Sequence, residues 1–271
     1  MPDFQNVADV TSTGFDQFVA GSRRLCVTAA DDRSDLRYEI PALTLADRQV
    51  ATLVLTRSGG GVLLDGLLVD QQGAATAYAN PYARLRLVAD ASGGASVGAS
   101  ANGTTLSANT GSPTVGAYRL VSAGDLATTL VIDGTNQTVT GLSAAPGADL
   151  TLLVAGSAAS PSVTLLSDGN LPSTSSAKPA KLRLVNGLNG SSGALMMTVD
   201  GDVAADSIAF GAASSSVNVA ASSAAATLEI SLGGSVLKTL SEQTLADSRV
   251  YTLFLLGDAG GTVAAILRAD R

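Results

Sequence analysis

Short segments with a two-residue apolar period recur along the whole chain. Leu36–Ile40 reads L-R-Y-E-I, so every second side chain is apolar, and Pro41 is expected to end this strand. Such a period turns successive side chains toward opposite faces of a β-strand, one toward a core and one toward solvent. Gly, Asn, Asp and Ser cluster between these segments, and one turn signal, Asp65-Gly66, falls inside the apolar stretch Val62–Val69. The pattern predicts an all-β protein.

The stretch from Pro179 to Gly201 indicates how the strands are organised. It contains a strand, a turn rich in Gly, Asn and Ser, a second strand and an Asp-Gly turn, and we interpret it as a β-hairpin. Much of this order recurs from Pro81 to Gly103. Equivalent positions such as Arg86 and Arg183 lie roughly a hundred residues apart, which is the size of a β-sandwich domain.

The repeats define the expected domains. We divide the chain into repeat one (residues 1–80), repeat two (residues 81–178) and repeat three (residues 179–271). The polar, proline-containing residues 170–178 are interpreted as a linker. The predicted fold class is all-β, with tandem Ig-like antiparallel β-sandwich domains.

Repeat one lacks a counterpart of the opening hairpin. Its first match to the other repeats is Phe15–Gly21, which corresponds to Tyr118–Gly124 in repeat two. We therefore expect this chain to be the C-terminal part of a longer protein.

An incomplete sandwich leaves apolar side chains and strand edges uncovered. The side chains expected to line the gap are Leu25, Val27, Leu53 and Leu55. Either residues 2–10 fold back over them, or a strand of another chain adds to the edge. We favour the second hypothesis, a homo-oligomer formed through the incomplete first repeat.

The motifs of repeat three resemble those of a bacterial family, domain-of-unknown-function family 4397. They are L-R-L-V at Leu182–Val185, V-D-G at Val199–Gly201, F-G at Phe210–Gly211 and Y-T-L at the start of Tyr251–Gly257. Repeat two departs from the pattern, with A-N-G at Ala101–Gly103 and no F-G, and repeat one lacks the opening half. The resemblance implies tandem Ig-like domains in a secreted or lipid-anchored protein, and it brings no catalytic residues.

The composition of the 271 residues restricts the chemistry. The chain has no histidine, which excludes Ser-His-Asp and Cys-His arrangements, and only 14% of its residues are charged. Its net charge of −7 leaves no basic stripe, so we expect no nucleic-acid partner. The single cysteine, Cys26, lies in an apparent strand and is expected to be buried.

The sequence contains no stretch expected to enter a membrane. We find no apolar run long enough for a transmembrane segment. The first ten residues lack the basic and apolar regions of a signal peptide, so no signal is present in this chain. The low-charge surface of Ser, Thr, Ala and Asn nevertheless favours an extracytoplasmic location: periplasm, outer-membrane lipoprotein or cell surface.

Two acidic clusters are the candidates for metal ligands. They are Asp31, Asp32 and Asp35 in one turn, and Asp200 and Asp202 in another. Carboxylates in a loop can bind Ca²⁺, but neither cluster has the spacing of an EF-hand, and a solvated hairpin turn explains both. We therefore assign no metal, no cofactor and no catalytic residue.

We predict a non-enzymatic extracytoplasmic scaffold, spacer or binding module of a bacterial cell-envelope protein. An unknown protein or glycan ligand is expected at the loop ends of the sandwiches. The alternatives are a calcium-stiffened adhesin or carbohydrate-binding surface protein, and a carboxylate-dependent glycosidase, for which no carboxylate pair stands out.

Overall fold

Strands dominate the computed structural model, which describes residues 3–30, 32–71, 73–221 and 225–271. Within these ranges there is no α-helix, and the one helical turn is a short 3-10 segment at Ser92–Gly94. The predicted all-β class is confirmed.

The described residues form twenty-four strands, numbered here in chain order. Those of repeat one are β1 (Gly21–Thr28), β2 (Leu36–Leu45), β3 (Ala51–Arg57), β4 (Leu64–Asp70) and β5 (Ala75–Tyr78). Those of repeat two are β6 (Tyr82–Ala91), β7 (Ser96–Ala101), β8 (Thr104–Gly111), β9 (Thr114–Val115), β10 (Arg119–Ser122), β11 (Gly124–Asp125), β12 (Thr128–Ile132), β13 (Thr135–Val139), β14 (Ser143–Ala144), β15 (Asp149–Ser157) and β16 (Ser160–Ser167). Those of repeat three are β17 (Ala180–Asn186), β18 (Leu195–Val199), β19 (Asp202–Ile208), β20 (Val217–Val219), β21 (Ala226–Leu232), β22 (Ser235–Gln243), β23 (Val250–Gly257) and β24 (Val263–Ala269).

Repeats two and three are each built from two main sheets. In repeat two the strand orders are β10-β6-β15-β16 and β13-β12-β7-β8, and in repeat three they are β20-β17-β23-β24 and β19-β18-β21-β22. Repeat one has a β1-β2 pair and a β3-β4-β5 sheet. Each sheet takes its described strands from a single repeat, although the domain boundaries themselves stay a prediction.

One strand pair in each complete sandwich is parallel rather than antiparallel. The first strand of the repeat lies beside the penultimate one, as β6 beside β15 and β17 beside β23. These strands are buried along nearly their whole length, which agrees with their almost continuous apolar sequences. We call the sheets that contain these pairs the inner sheets.

The predicted hairpin from Pro179 to Gly201 is wrong. Its two strands do not pair with each other, because β17 belongs to the inner sheet and β18 to the opposite sheet. Leu182 of β17 and Met197 of β18 both face the core between the two sheets. The Gly-rich connection therefore crosses from one sheet to the other, and the hairpin that forms is β18–β19 around Asp200-Gly201. We call the first three strands of a complete repeat, β6–β8 or β17–β19, its opening segment.

Two further local predictions are corrected by packing. Strand β2 continues through Pro41, at a place where its register with β1 shifts, so no ladder hydrogen bond is lost there. Asp65-Gly66 forms no turn and lies within β4. A Cβ at Gly66 would lie 2.8 Å from Cζ of the fully buried Tyr38. The Tyr38 ring therefore leaves no room for a side chain at position 66, and this contact, rather than a turn, explains the glycine.

The cores differ greatly between the repeats. Repeats two and three each enclose a large cluster of buried aliphatic side chains between their sheets. The core of repeat one contains only Tyr38, Ile40 and Leu43 as fully covered members. The core of repeat one is therefore much smaller than the cores of the other two repeats.

Repeat one is attached to repeat two through the loop between β3 and β4. The Ser58 hydroxyl donates to the carbonyl of Gly147 at 2.7 Å, and the amide of Gly60 donates to the same carbonyl at 3.1 Å. A Cβ at Gly60 or Gly61 would overlap backbone atoms of repeat two. These glycines are therefore an interdomain contact as well as a hairpin loop.

We predict that Gly66→Ala destabilises repeat one by about 1–3 kcal/mol, because the new methyl group would overlap the Tyr38 ring. Hydrogen exchange of the amides in β1–β4 measures this loss. Gly59→Ala is the control, since a Cβ there meets no atom within 4 Å. Equal exchange in both variants would show that Tyr38 does not occupy this position.

Candidate functional site

The first acidic cluster is organised by its own turn. The Asp32 carboxylate accepts hydrogen bonds from the amide and the hydroxyl of Ser34, at 2.8 and 2.6 Å, and these bonds lower the pKa of Asp32. Asp35 forms an ion pair with Arg37. Asp31 lies outside the described residues. The described carboxylates already have partners, Ser34 in the β1–β2 connection and Arg37 in β2.

The second acidic cluster lies at the tip of the β18–β19 hairpin. Asp200 accepts a hydrogen bond from the amide of Thr227 at 2.8 Å, and Asp202 begins β19. Among the described residues, no group of three or more Cys, Asp or Glu side chains is close enough to hold a metal ion. The two clusters belong to different repeats, and the structure does not bring them together.

Cys26 is exposed, which corrects the prediction that it is buried. It lies in β1 between Leu25 and Val27, which pack toward the small core of repeat one. The alternation of the strand therefore turns Cys26 outward, to the face that carries its cross-strand partner Glu39. In the described ranges of the chain, no helix has the length and apolar character needed to span a membrane.

The most unusual site of the molecule lies between repeats two and three. Their inner sheets pack against each other through the faces that point away from each repeat's own core. This cluster includes apolar side chains from equivalent positions of the two repeats, such as Val88 and Val185, and Leu153 and Phe254. The chain therefore has a third apolar layer between its two complete sandwiches.

Buried charges surround this layer in a nearly symmetric arrangement. In repeat two, Arg86 Nε donates to Thr151 Oγ1 at 2.8 Å, and that hydroxyl donates to Asp168 at 2.5 Å. In repeat three, Arg183 Nε donates to Thr252 Oγ1 at 2.9 Å, and that hydroxyl donates to Asp270 at 2.5 Å.

The arginine of each repeat forms an ion pair with the aspartate of the other repeat. Arg86 of repeat two binds Asp270 of repeat three, and Arg183 of repeat three binds Asp168 of repeat two. All four side chains are buried. The two repeats thus contact each other through an approximate two-fold relation, with the same residue types on both sides. We call these four residues the crossed ion pairs.

Tyr118 closes one side of the crossed ion pairs. Its hydroxyl donates to Asp168 at 2.6 Å and accepts from the Asn170 amide at 3.1 Å. The guanidinium groups of Arg84 and Arg86 lie 4.4 and 4.5 Å from its ring centre, which is cation–π geometry. Asn170 is fully buried, so the predicted linker begins inside this network and not in solvent.

The surroundings of Arg86 and Tyr118 keep both side chains in their usual protonation states. Burial acts to lower the pKa of Arg86, but Tyr118, Asp270 and Asp168 outweigh it, and the pKa is raised above its usual range. The pKa of Tyr118 is also raised well above its usual range, first by burial and then by Asp168. Arg86 therefore stays charged and Tyr118 stays neutral, so the ion pairs and the hydrogen bond of Tyr118 connect the two sheets.

A cleft of about 280 Å³ lies at one end of the same junction. Its residues include Asp90 and Ser112 of repeat two, and Asn189 and Asp258 of repeat three. Asp90 is buried; one carboxyl oxygen accepts the Gly257 amide at 2.8 Å, and the other has no hydrogen-bond partner among the described residues. Burial raises the pKa of Asp90 to about 8, against the opposing effect of the Gly257 hydrogen bond.

Sequence reasoning did not identify this junction as the site. The available signal was the shared L-R-L-V of β6 and β17, in which an arginine alternates with leucines in the middle of a strand. An arginine in that position is normally solvated, and only the second sheet shows that it is buried.

Comparison with known proteins adds no function. Neither a scan of protein-family models nor a search of curated proteins finds a match to this chain. The function is therefore inferred from the geometry of the junction and of repeat one.

We predict that Arg86→Met lowers the free energy of unfolding by about 3–5 kcal/mol, because Asp270 would keep a buried charge without its partner. Urea unfolding of repeats two and three measures the loss. Adding Asp270→Asn to this variant should recover part of it, since the unpaired charge is then removed. Arg48→Met, at a surface arginine, is the control, and a similar effect in both single variants would contradict the role of the crossed ion pairs.

We predict that Asp90→Asn stabilises the chain increasingly as the pH rises. The folded pKa of Asp90 lies above the unfolded value of about 4, so the wild type loses stability between pH 4 and pH 8, whereas the amide does not ionise. The free energy of unfolding of the variant minus that of the wild type should grow by several kcal/mol, about 5 at most, across this range. A difference that stays constant from pH 4 to pH 9 would refute the buried, protonated carboxyl.

Proposed function

We propose that this chain is a non-enzymatic scaffold and binding module, in which repeats two and three form one rigid unit and repeat one presents a binding surface. The proposal includes the Ig-like class of the sandwiches and the similarity to family 4397. It also includes an extracytoplasmic location in the bacterial cell envelope.

The observation that carries the proposal is the buried junction between repeats two and three. Domains that move relative to one another usually meet through modest, solvated contacts. Here the contact contains an apolar layer and buried ion pairs, and separating the repeats would expose Phe254 and leave Arg86 without Asp270. Such a junction fixes the angle between two domains, which is a property that a scaffold needs and that a flexible linker would not provide.

The buried charges also favour a positioning role over catalysis. Arg86 binds Asp270, and Tyr118 is held between Asp168 and Asn170. Because the charged groups among them are paired with one another, they support the geometry of the contact rather than a reaction.

We predict that the distance between repeats two and three is fixed. Spin labels at Thr138→Cys and Lys238→Cys, both exposed on the far sheets, should give one narrow distance distribution by pulsed electron paramagnetic resonance, with Cys26→Ser removing the native thiol. A double variant that combines Arg86→Met with Arg183→Met should broaden this distance distribution. A broad distribution in the otherwise native chain would contradict a rigid scaffold.

Two measurements separate the alternative functions: the distance distribution with and without calcium, and an assay of turnover. The distribution should be identical in calcium and in EDTA, and narrowing by calcium alone would favour the calcium-stiffened adhesin. A panel of glycan, ester and peptide substrates should give no turnover. Turnover abolished by one Asp or Glu substitution would favour the glycosidase or another hydrolase.

A further inference from the structure

Asp90, near the end of β6, uses only one of its two carboxyl oxygens. Its Oδ1 accepts the amide of Gly257 from repeat three at 2.8 Å, whereas Oδ2 has no hydrogen-bond partner among the described residues. The residue is only 1% exposed, so this oxygen lies away from the open surface. A buried acceptor of this kind costs free energy unless a donor reaches it.

An uncharged residue makes the same contact in the opposite direction. Asn189 of repeat three accepts the amide of Gly156 of repeat two at 2.6 Å, and Gly156 is the counterpart of Gly257. The Asn189 Nδ2 donates to the backbone carbonyl of Asp90 at 2.8 Å, so both polar ends of this side chain are used. The contact between the repeats therefore needs no charge at such a position, and the second oxygen of Asp90 is left over from it.

A second carboxylate lies in the cleft that Asp90 lines. Asp258 of repeat three lines the same cleft of about 280 Å³, and its carboxylate accepts the amide of Gly93 of repeat two at 3.5 Å. Of the described residues that line the cleft, none is a lysine or an arginine. The cleft thus presents one carboxylate from each repeat and no basic side chain between them.

The surroundings of Asp90 hold its charge back. Burial is the main cause that raises the pKa of Asp90 to about 8, and the charge of Asp258 adds to it. The other groups that face Asp90 from β17, β23 and the connections that follow them are the neutral Gly187, Asn189 and Gly257. A cation that entered the cleft would reverse this effect and favour the ionised carboxylate.

The arrangement of the acceptors favours a compact cation. The Gly257 amide already occupies one oxygen of Asp90, so a guanidinium could not bind this carboxylate through two parallel hydrogen bonds. Calcium takes roughly six to eight oxygen ligands, and two carboxylates among the described residues are a poor start for it. An ammonium group has three donors and can bind one oxygen of each carboxylate.

The same cleft has a surface for an apolar stem. Pro113 and Ala91 line it, together with Gly93 and Gly94, which have no side chains to fill the space. The methylene groups of a lysine pack on such a surface while the ammonium remains with the charged groups.

We propose that this cleft binds the primary alkylammonium group of a lysine side chain, carried by a bound polypeptide, between Asp90 and Asp258. The ammonium donates to Oδ2 of Asp90 and to the carboxylate of Asp258, and the stem lies on Pro113. Binding ionises Asp90, and its proton passes to solvent. The net charge of −7 attracts a basic polypeptide to the chain. The lysines of the chain itself, Lys178, Lys181 and Lys238, do not line the cleft.

This binding site goes beyond the rigid scaffold, although both use the junction. One carboxylate comes from each repeat, so the site is complete only where repeats two and three are in contact. A narrow distance distribution between the repeats without binding of the amine would retain the scaffold and refute the site.

The test is a titration of the ¹⁵N-labelled full chain with Nα-acetyl-lysine amide, followed by nuclear magnetic resonance of the Gly93 and Gly257 amides. We expect saturable shifts of both amides. The association constant should be about twentyfold larger at pH 8.5 than at pH 6.5, because more Asp90 is ionised while the ligand stays charged. Nα-acetyl-norleucine amide, which lacks the ammonium, should not bind, and Nα-acetyl-arginine amide should bind more weakly.

Variants of the two carboxylates locate the site. Asp90→Asn should keep the fold, because its amide oxygen can accept the Gly257 amide as Asn189 accepts that of Gly156. Its binding should be at least about tenfold weaker and independent of pH, since the charge opposite the ammonium is removed. Asp258→Asn should weaken binding but keep the dependence on pH. Asp47→Asn, at a carboxylate whose side chain is 89% exposed in repeat one, is the matched control and should bind as the native chain does.

Three results would overturn the proposal outright: no saturable shift, equal binding of the norleucine derivative, or binding that Asp90→Asn leaves unchanged. Shifts of the same amides caused by calcium chloride alone and abolished by Asp90→Asn would overturn it in favour of a metal site. Tighter binding of cadaverine, a free diamine, than of the lysine derivative would overturn the polypeptide source in favour of a small amine.

Discussion

The crossed ion pairs between the two inner sheets are the constraint on which the arrangement of repeats two and three depends. Two arginines and two aspartates are removed from water there, which costs several kcal/mol per charge unless each finds a partner. Each arginine finds its main carboxylate partner in the other repeat and its hydroxyl partner in its own. Neither repeat satisfies its own arginine fully, so the ion pairs stabilise the contact between the two repeats.

The apolar layer and the charges have complementary roles. Val88, Val185 and Phe254 contribute burial, which is strong but does not define an angle. The guanidinium groups bind in fixed directions and would be left unpaired by a small rotation of one sheet over the other. The combination explains how a surface made mainly of aliphatic side chains can specify a single packing.

Repeat one packs a similar sequence pattern around a much smaller core. Strands β3 and β23 have similar alternating apolar sequences, yet Leu55 is largely exposed and Leu255 is fully buried. Tyr38 provides part of the missing volume, since its ring lies on Gly66 and its hydroxyl donates to the carbonyl of Tyr78 at 2.9 Å. Burial raises the pKa of Tyr38 to about 12, so the ring stays neutral in this small core. The described strands of repeat one thus form a small folded unit, in which β3 pairs only with β4.

The sequence by itself determined the strands, their periodicity and the likeness of the repeats, because alternation and turn residues act over a few neighbouring positions. Only the tertiary structure decided the partners of the strands: β17 and β18 are adjacent in sequence but lie in opposite sheets, and β6 lies parallel to β15. The sequence pattern of Arg86 is that of a solvated strand residue, and Pro41 and Gly66 are turn residues by type. Their roles depend on atoms far away along the chain, namely Asp270, the bulge opposite β1 and the ring of Tyr38, and a local pattern carries no information about such contacts.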